Sequence, residues 1–208
     1  MLLHGYFRSS AAYRVRIALN LKGLAYDQVF HRLTEGEQTA PAYLALNPQG
    51  LVPALETGGA VLTQSLAICE FLDEVYPEPP FLPDDPVDRA KVRAFAQIIA
   101  CDTHPIQNLK ILNRLRALGL DQQAVTQWAR VAIEDGLEAC DQLLCDSATP
   151  FCHGDQPGLA DILLVPQLAN ARRFGVDLRW RRLLEVEARC LAMDAFAHAA
   201  PDRQPDAG

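Results

Sequence analysis

The segment Arg8-Ser9-Ser10-Ala11-Ala12-Tyr13-Arg14-Val15-Arg16-Ile17-Ala18 puts two hydroxyls and a guanidinium where a short apolar opening, Met1 to Tyr6, gives way to a helical pattern. The first N–H groups of a helix lack intrahelical acceptors, so such a junction receives anions, and Arg8 adds charge beside it. The chemistry it suits is stabilisation of a carboxylate or a thiolate. A hydroxyl that donates to a thiolate at a helix start lowers the thiol pKa. Ser9 and Ser10 equally suit plain helix capping. Neither sits in the G-x-S-x-G setting of a nucleophilic serine, and no His and Asp partners accompany them. The next positions are Ala11 and Ala12, so a reactive thiol acting here has to arrive with a cofactor.

Leu51-Val52-Pro53 and Gln64-Ser65 are the next polar or main-chain sites before predicted elements. A cis Pro53 would present the Val52 N–H and C=O to an extended, peptide-like ligand; an ordinary loop proline would not. Gln64-Ser65 offers an amide and a helix-start hydroxyl that hold an α-carboxylate, or else a plain cap with a polar neighbour.

A third cluster runs Cys101-Asp102-Thr103-His104-Pro105-Ile106-Gln107-Asn108-Leu109-Lys110. Pro105 removes a backbone donor and frees the Cys101 carbonyl, which predicts a kink. His104 and Asn108 are four apart and are expected to share a helix face. Asp102 and His104 are two apart and face different ways, so no metal site is predicted. Lys110, Arg172 and Arg173 are candidate counter-charges for a dianionic substrate, or solvated cations at helix ends. Gly158-Leu159-Ala160-Asp161 reads as a helix start in which Asp161 reaches back to the N–H of residue 158. That motif concerns folding.

Two rhythms position these clusters. Residues 1–78 alternate short strands and helices: strand 1–6, helix 10–22 ended by Gly23, strand 26–30, strands 54–56 and 60–62, and a helix capped by Ser65 and running to Val75. The close strand–helix–strand succession predicts parallel pairing, and Thr57-Gly58-Gly59 predicts a hairpin. Prolines 77, 79, 80, 83 and 86 mark a linker at 79–87. Residues 88–208 read as helices over 88–118, 121–144, 159–174, 181–190 and 193–199, with a polar tail at 201–208 expected to fray.

The formal net charge of −7 argues against a nucleic-acid partner, because phosphate neutralisation needs a basic surface. The six cysteines form no CxxC pair and no secretory signal precedes them, so buried free thiols in a reducing cytoplasm are expected. No apolar stretch is long enough to span a membrane.

Taken in order, the motifs resemble the cytosolic glutathione transferase family, and within it the zeta class of maleylacetoacetate and bacterial glutathione-dependent maleylpyruvate isomerases. The resemblance rests on Arg8-Ser9-Ser10 with Arg14-Val15-Arg16-Ile17-Ala18, Asn47-Pro48-Gln49, Leu51-Val52-Pro53 and Gln64-Ser65. It continues through Asp102-x-His104-Pro105, Leu159-Ala160-Asp161, Val165-Pro166-Gln167 and the tail from Ala199 to Pro205. It implies an α/β thioredoxin-like N-terminal domain, an all-helical C-terminal domain, a cytoplasmic homodimer and glutathione as cofactor.

By the same resemblance Ser9 stabilises the glutathione thiolate, with Ser10 and Arg8 beside it. Gln49, Val52, Pro53, Gln64 and Ser65 match glutathione-binding positions. Asp102, His104 and Asn108 match polar positions around the cofactor. Arg8, His104, Lys110 and Arg172 or Arg173 match the surroundings of a small anionic keto acid. The implied reaction is cis–trans isomerisation, by addition of the cofactor sulfur to a maleyl double bond, rotation and elimination. A general transferase acting on small α-halo acids and a non-catalytic binding protein are the alternatives. The chain departs from the zeta pattern in three places. Ala11-Ala12 stands where Cys-Ser is usual, Lys110 where arginine is common, and Gly158 where a hydroxyl residue is usual.

Overall fold

In the computed structural model, which describes residues 1–145 and 147–207, the chain forms two compact units. One comprises Met1–Phe81 together with the chain from Leu191 onward, and the other is Leu82–Cys190.

The first unit is built on a four-stranded sheet in the order β2-β1-β3-β4. The strands are β1 (Leu2–Gly5), β2 (Asp27–Phe30), β3 (Ala54–Thr57) and β4 (Ala60–Thr63). β1 and β2 are parallel, with Leu2 opposite Asp27 across the crossover helix α1 (Ser10–Leu21). β3 runs antiparallel to β1, with Leu3 opposite Leu55. β3 and β4 make the expected hairpin, turning through Gly58 and Gly59 at φ 56° and 80°, values that favour glycine at both central positions. The short α2 (Pro41–Leu46) precedes β3, and α3 (Ser65–Val75) follows β4 and packs on α1. Leu3, Val15, Leu19, Leu55, Ile68 and Leu72 are fully buried between sheet and helices. This is a thioredoxin-like arrangement.

Every residue of α1 from Ser10 to Leu19 is buried, including Arg14 and Arg16, so the helix needs cover on both faces. The C-terminal segment supplies the second cover. Tyr13 Oη donates to Phe196 O at 3.4 Å and Asn20 Nδ2 to Ala195 O at 2.9 Å, both at α9 (Asp194–Ala197). The tail beyond it was expected to fray and to belong with the helical part. It packs instead with the first unit, because its polar groups turn inward. The Gln204 amide donates to His198 O and to Ala200 O, each at 2.9 Å, and the residue is buried. Lys22, whose side chain is fully buried, holds the proline-rich segment. Its Nζ reaches Asp73 Oδ1 at 2.8 Å and Pro79 O at 2.6 Å, and lies 4.0 Å from the Phe81 ring centre.

The second unit is helical: α4 (Pro86–Gln97), α5 (Leu109–Ala117), α6 (Gln122–Leu144), α7 (Leu159–Arg173) and α8 (Arg181–Leu191), the last ending at the boundary. The single helix expected over 88–118 is broken. α4 passes into a wide π turn at Ile98–Thr103 and a 3-10 turn at Pro105–Gln107 before Asn108 starts α5 in extended conformation. Pro105 accounts for the break, since it has no N–H to continue the ladder. The wide turn is held by Thr103 Oγ1 donating to Ile98 O at 2.8 Å. α6 approaches it so closely that a Cβ on Gly136 would lie 2.0 Å from Thr103 Oγ1. Asp161 accepts from Gly158 N, as expected, and also from Cys152 N, each at 2.9 Å. Cys69, Cys140, Cys152 and Cys190 are buried, Cys101 and Cys145 exposed, and all six are free thiols. Among the described residues no helix is long and apolar enough to cross a membrane.

Gly136→Ala separates helix propensity from packing. Alanine in a helix interior gains about 1 kcal/mol over glycine, whereas overpacking costs up to about 3 kcal/mol. We expect a lower thermal midpoint for the variant; a higher one would contradict the close approach at Thr103.

Candidate active site

Ser9 is the N-cap of α1, with φ −70° and ψ 112°, and its Oγ accepts from Ala12 N at 3.1 Å. The capping reading therefore holds. That bond uses an oxygen lone pair and leaves the hydroxyl hydrogen to donate elsewhere. Ser9 is half-buried, Ser10 buried, and Arg8 exposed with its guanidinium 4.9 Å from the Phe7 ring centre.

The start of α3 differs from expectation. Gln64, not Ser65, occupies the cap position, with φ 69° and ψ 113°. A non-glycine residue in this region carries about 1–3 kcal/mol of strain, the sort that persists where surrounding contacts over-determine it. Ser65 is the first helical residue, and its Oγ accepts from Arg14 Nη1 at 3.1 Å. Both residues are buried, at 6% and 1% exposure, so the first turns of α1 and α3 are joined through the interior. Arg14 was not singled out from the sequence as a site residue. Its signal was an arginine inside an otherwise buried helical run. Gln64 Nε2 donates to Gln49 Oε1 at 2.6 Å, which brings these two exposed amides together.

The Val52-Pro53 peptide is cis. Among the described residues Val52 takes part in none of the loop's main-chain hydrogen bonds. The residue before it is firmly held. Leu51 O accepts from Asn47 Nδ2 at 2.6 Å and from Tyr43 Oη at 2.7 Å, and Asn47 Oδ1 accepts from Gln49 N at 3.1 Å. Tyr43 in turn lies against His31, ring centres 4.4 Å apart. His31 Nε2 is 3.0 Å from His4 Nδ1, and His4 Nε2 is 2.7 Å from Glu56 Oε1. Burial, then the neighbouring His4, pushes the His31 pKa down against a weaker opposite pull from Glu37.

In the helical unit the break at Pro105 separates His104 from Asn108, so the two do not share one helix face. Asn108 is instead the N-cap of α5, with its Oδ1 accepting from Ile111 N at 3.1 Å. His104 and Asn108 are half-buried, Asp102 and Lys110 exposed. The neighbours Arg172 and Arg173 part company. Arg172 forms a two-pronged pair with Glu187, Nη1 to Oε1 at 2.6 Å and Nη2 to Oε2, and the Glu187 side chain is 4% exposed. That pairing raises the Arg172 pKa and satisfies the buried Glu187 carboxylate from a side chain that is itself 48% exposed. Arg173 is exposed, and its Nη2 donates to Asn170 Oδ1 at 2.6 Å. Asn170 Nδ2 donates to buried Gln107 at 3.0 Å. Among the described residues no group of three or more His, Cys, Asp or Glu side chains is placed to hold a metal ion.

A thioredoxin-like sheet with an all-helical second unit is the architecture of the glutathione transferases. Residues 8–75 match the family model described as glutathione S-transferase, N-terminal domain. The maleylacetoacetate isomerase of Pseudomonas aeruginosa is 49% identical over 210 residues, spanning 99% of this chain and 98% of that protein. The holo structure of a maleylpyruvate isomerase, described as a bacterial zeta-class glutathione S-transferase, superposes with a TM-score of 0.97 at 46% identity, covering all of both chains. Maleylacetoacetate isomerase from Methylobacterium extorquens AM1, crystallised with malonate and glutathione, gives a TM-score of 0.96 at 42% identity, again over all of both chains. The chain belongs to the zeta class of glutathione transferases, the maleylacetoacetate and maleylpyruvate isomerase family.

The His31 contacts give a pH dependence with a definite sign. The native state disfavours the His31 cation, while in the unfolded chain histidine takes up its proton near pH 6.5. Stability from this group is present above that pH and is lost as pH falls below it. We expect the thermal midpoint to drop between pH 7.5 and 5.5, less steeply in His31→Gln. An unchanged slope in the variant would assign the dependence to other groups.

Proposed function

We propose that the protein is a glutathione-dependent isomerase. It converts a cis maleyl keto acid, maleylpyruvate or maleylacetoacetate, to the trans fumaryl isomer in aromatic catabolism, working as a cytoplasmic homodimer. The observation that carries this reading is the pair of helix starts joined by Arg14 and Ser65. Two helix N-termini and the main-chain edge at Val52 make a donor set that fits a tripeptide bearing carboxylates and a thiol. The close family relationship supplies the reaction class.

Bound glutathione supplies a reversible sulfur nucleophile, whose addition to and departure from the cis double bond allows rotation without net oxidation or hydrolysis. The chain's own residues supply donors and charge. The Ser9 hydroxyl donates to the sulfur, and with the α1 N-terminus and Ser10 it favours the thiolate at neutral pH. Ser65 and the first N–H groups of α3 hold the γ-glutamyl carboxylate, with Gln64 and Gln49 beside it. The Val52 N–H and C=O, presented next to Pro53, pair with the tripeptide backbone. Asp102, His104 and Asn108 complete the polar contacts. Arg8, Lys110 and Arg173 hold the substrate carboxylates, and Arg8 also stabilises charge that develops on the oxygen conjugated to the double bond. Arg172 stays with Glu187.

Maleylpyruvate and maleylacetoacetate assayed side by side, with and without glutathione, test the function. Fumaryl product is expected only with glutathione. Isomerisation at full rate without it, or turnover confined to a small α-halo acid, would overturn the assignment. Ser9→Ala should lower kcat by about a hundredfold, the scale of a lost donor to developing charge. Arg173→Ala should raise KM for the dicarboxylate more than for a neutral electrophile. Arg172→Ala should instead lower the thermal midpoint, because it leaves the Glu187 carboxylate buried and unpaired. Sedimentation that finds a fully active monomer would remove the dimer from this account.

A further inference from the structure

Phe7 immediately precedes Arg8, and both of its peptide groups are held by side chains, one of them from the far end of the chain. Its N–H donates to Asp206 Oδ2 at 3.0 Å. Its C=O accepts from Arg16 Nη2 at 3.2 Å. Arg16 Nε also donates to Ala199 O at 2.9 Å, so one guanidinium grips the turn before α1 and the start of the tail together. Arg16 is 1% exposed, which leaves that grip little freedom. Burial pushes its pKa down to about 10, so it remains a cation at neutral pH, with Asp206 among the groups that sustain the charge.

Asp206 is delivered to this place by an ordered tail. A 3-10 turn at Pro201–Arg203 is followed by the inward amide of Gln204 and a second turn at Pro205–Ala207. The second carboxylate oxygen, Oδ1, is buried and accepts no hydrogen bond among the described residues. Only Oδ2 is placed for a specific purpose, which is to receive the Phe7 N–H. Ser9 is itself tied back to this turn, its N–H donating to Tyr6 O at 2.9 Å.

We infer that Asp206 is a positioning residue: with Arg16 it fixes the Phe7 peptide groups and so sets where Arg8 and the Ser9 hydroxyl stand. The inference rests on the role assigned to Ser9 above. The hydrogen bond matters here, not the charge. Asp206→Asn keeps an acceptor for Phe7 N, whereas Asp206→Ala removes it.

The test uses the full-length protein saturated with glutathione, and follows ionisation of the bound thiol by the ultraviolet absorbance of thiolate. Unbound protein is melted in parallel. A misplacement of even about 1 Å at a reacting group lowers rates by up to a hundredfold, so we expect kcat to fall about tenfold in Asp206→Ala. The bound-thiol pKa should rise by about half a unit or more as the Ser9 donor loses alignment. Asp206→Asn should restore most of both. A chain ending at Gln204, which keeps the amide anchor and lacks the carboxylate, should behave like the alanine variant. A lowered melting temperature with unchanged thiol pKa and unchanged kcat would mean that the tail merely fastens the fold, and would overturn the inference. An asparagine variant as impaired as the alanine variant would overturn it too. Ser9→Ala runs alongside. If it leaves the thiol pKa unmoved, the Ser9 assignment falls and this inference with it. If it raises the pKa and Asp206→Ala does not, the role of Asp206 alone is refuted.

Discussion

A buried guanidinium is the constraint around which the first unit is organised. Arg14 sits at 1% exposure and donates to Ser65 Oγ at 3.1 Å. Each hydrogen bond to a buried cation offsets part of its desolvation, so drawing the two helix starts apart would cost Arg14 its bond to Ser65 in a place where water does not replace it. The strained cap at Gln64 is held by the same arrangement, with Ser65 locked on one side and the Gln49 amide on the other. The orphan N–H groups of α1 and α3 thereby become one fixed donor set instead of two independent helix ends.

The second consequence concerns α1. A helix that carries Arg14 toward α3 and Arg16 toward the chain terminus has no solvent face over most of its length. It requires a second cover, and the C-terminal segment provides it through Tyr13, Arg16 and Asn20. The end of the chain therefore belongs structurally with its beginning. The helical unit between them is interrupted at Pro105 and tightened at Gly136, features that fix the polar run from Asp102 to Asn108.

What the sequence disclosed follows from the range of the interactions. The hairpin at Gly58-Gly59 and the carboxylate of Asp161 at its helix start are local effects of single residue types and are found where they were expected, whereas Pro105, expected to kink one helix, interrupts it outright. Ser9 and Ser65 were legible because strand-to-helix junctions expose backbone donors. The partner of Ser65 was not, since Arg14 lies 51 residues away along the chain. The tail misled because its composition is polar, while its hydrogen bonds run inward to backbone carbonyls. Arg172 and Arg173 are adjacent and chemically identical, and only the position of Glu187 distinguishes them.

The absence of a thiol beside Ser9 is consistent with this division of labour. Ala11 and Ala12 are buried and Ala12 N is engaged by the cap, so the turn offers donors and no nucleophile. The sulfur has to come from the cofactor and has to be returned. The most direct measurement is therefore a free-thiol balance during turnover of maleylpyruvate with limiting glutathione. Product should exceed glutathione many-fold while total free thiol stays constant. Loss of one thiol for each substrate consumed would mean that the protein conjugates glutathione, and would contradict an isomerase.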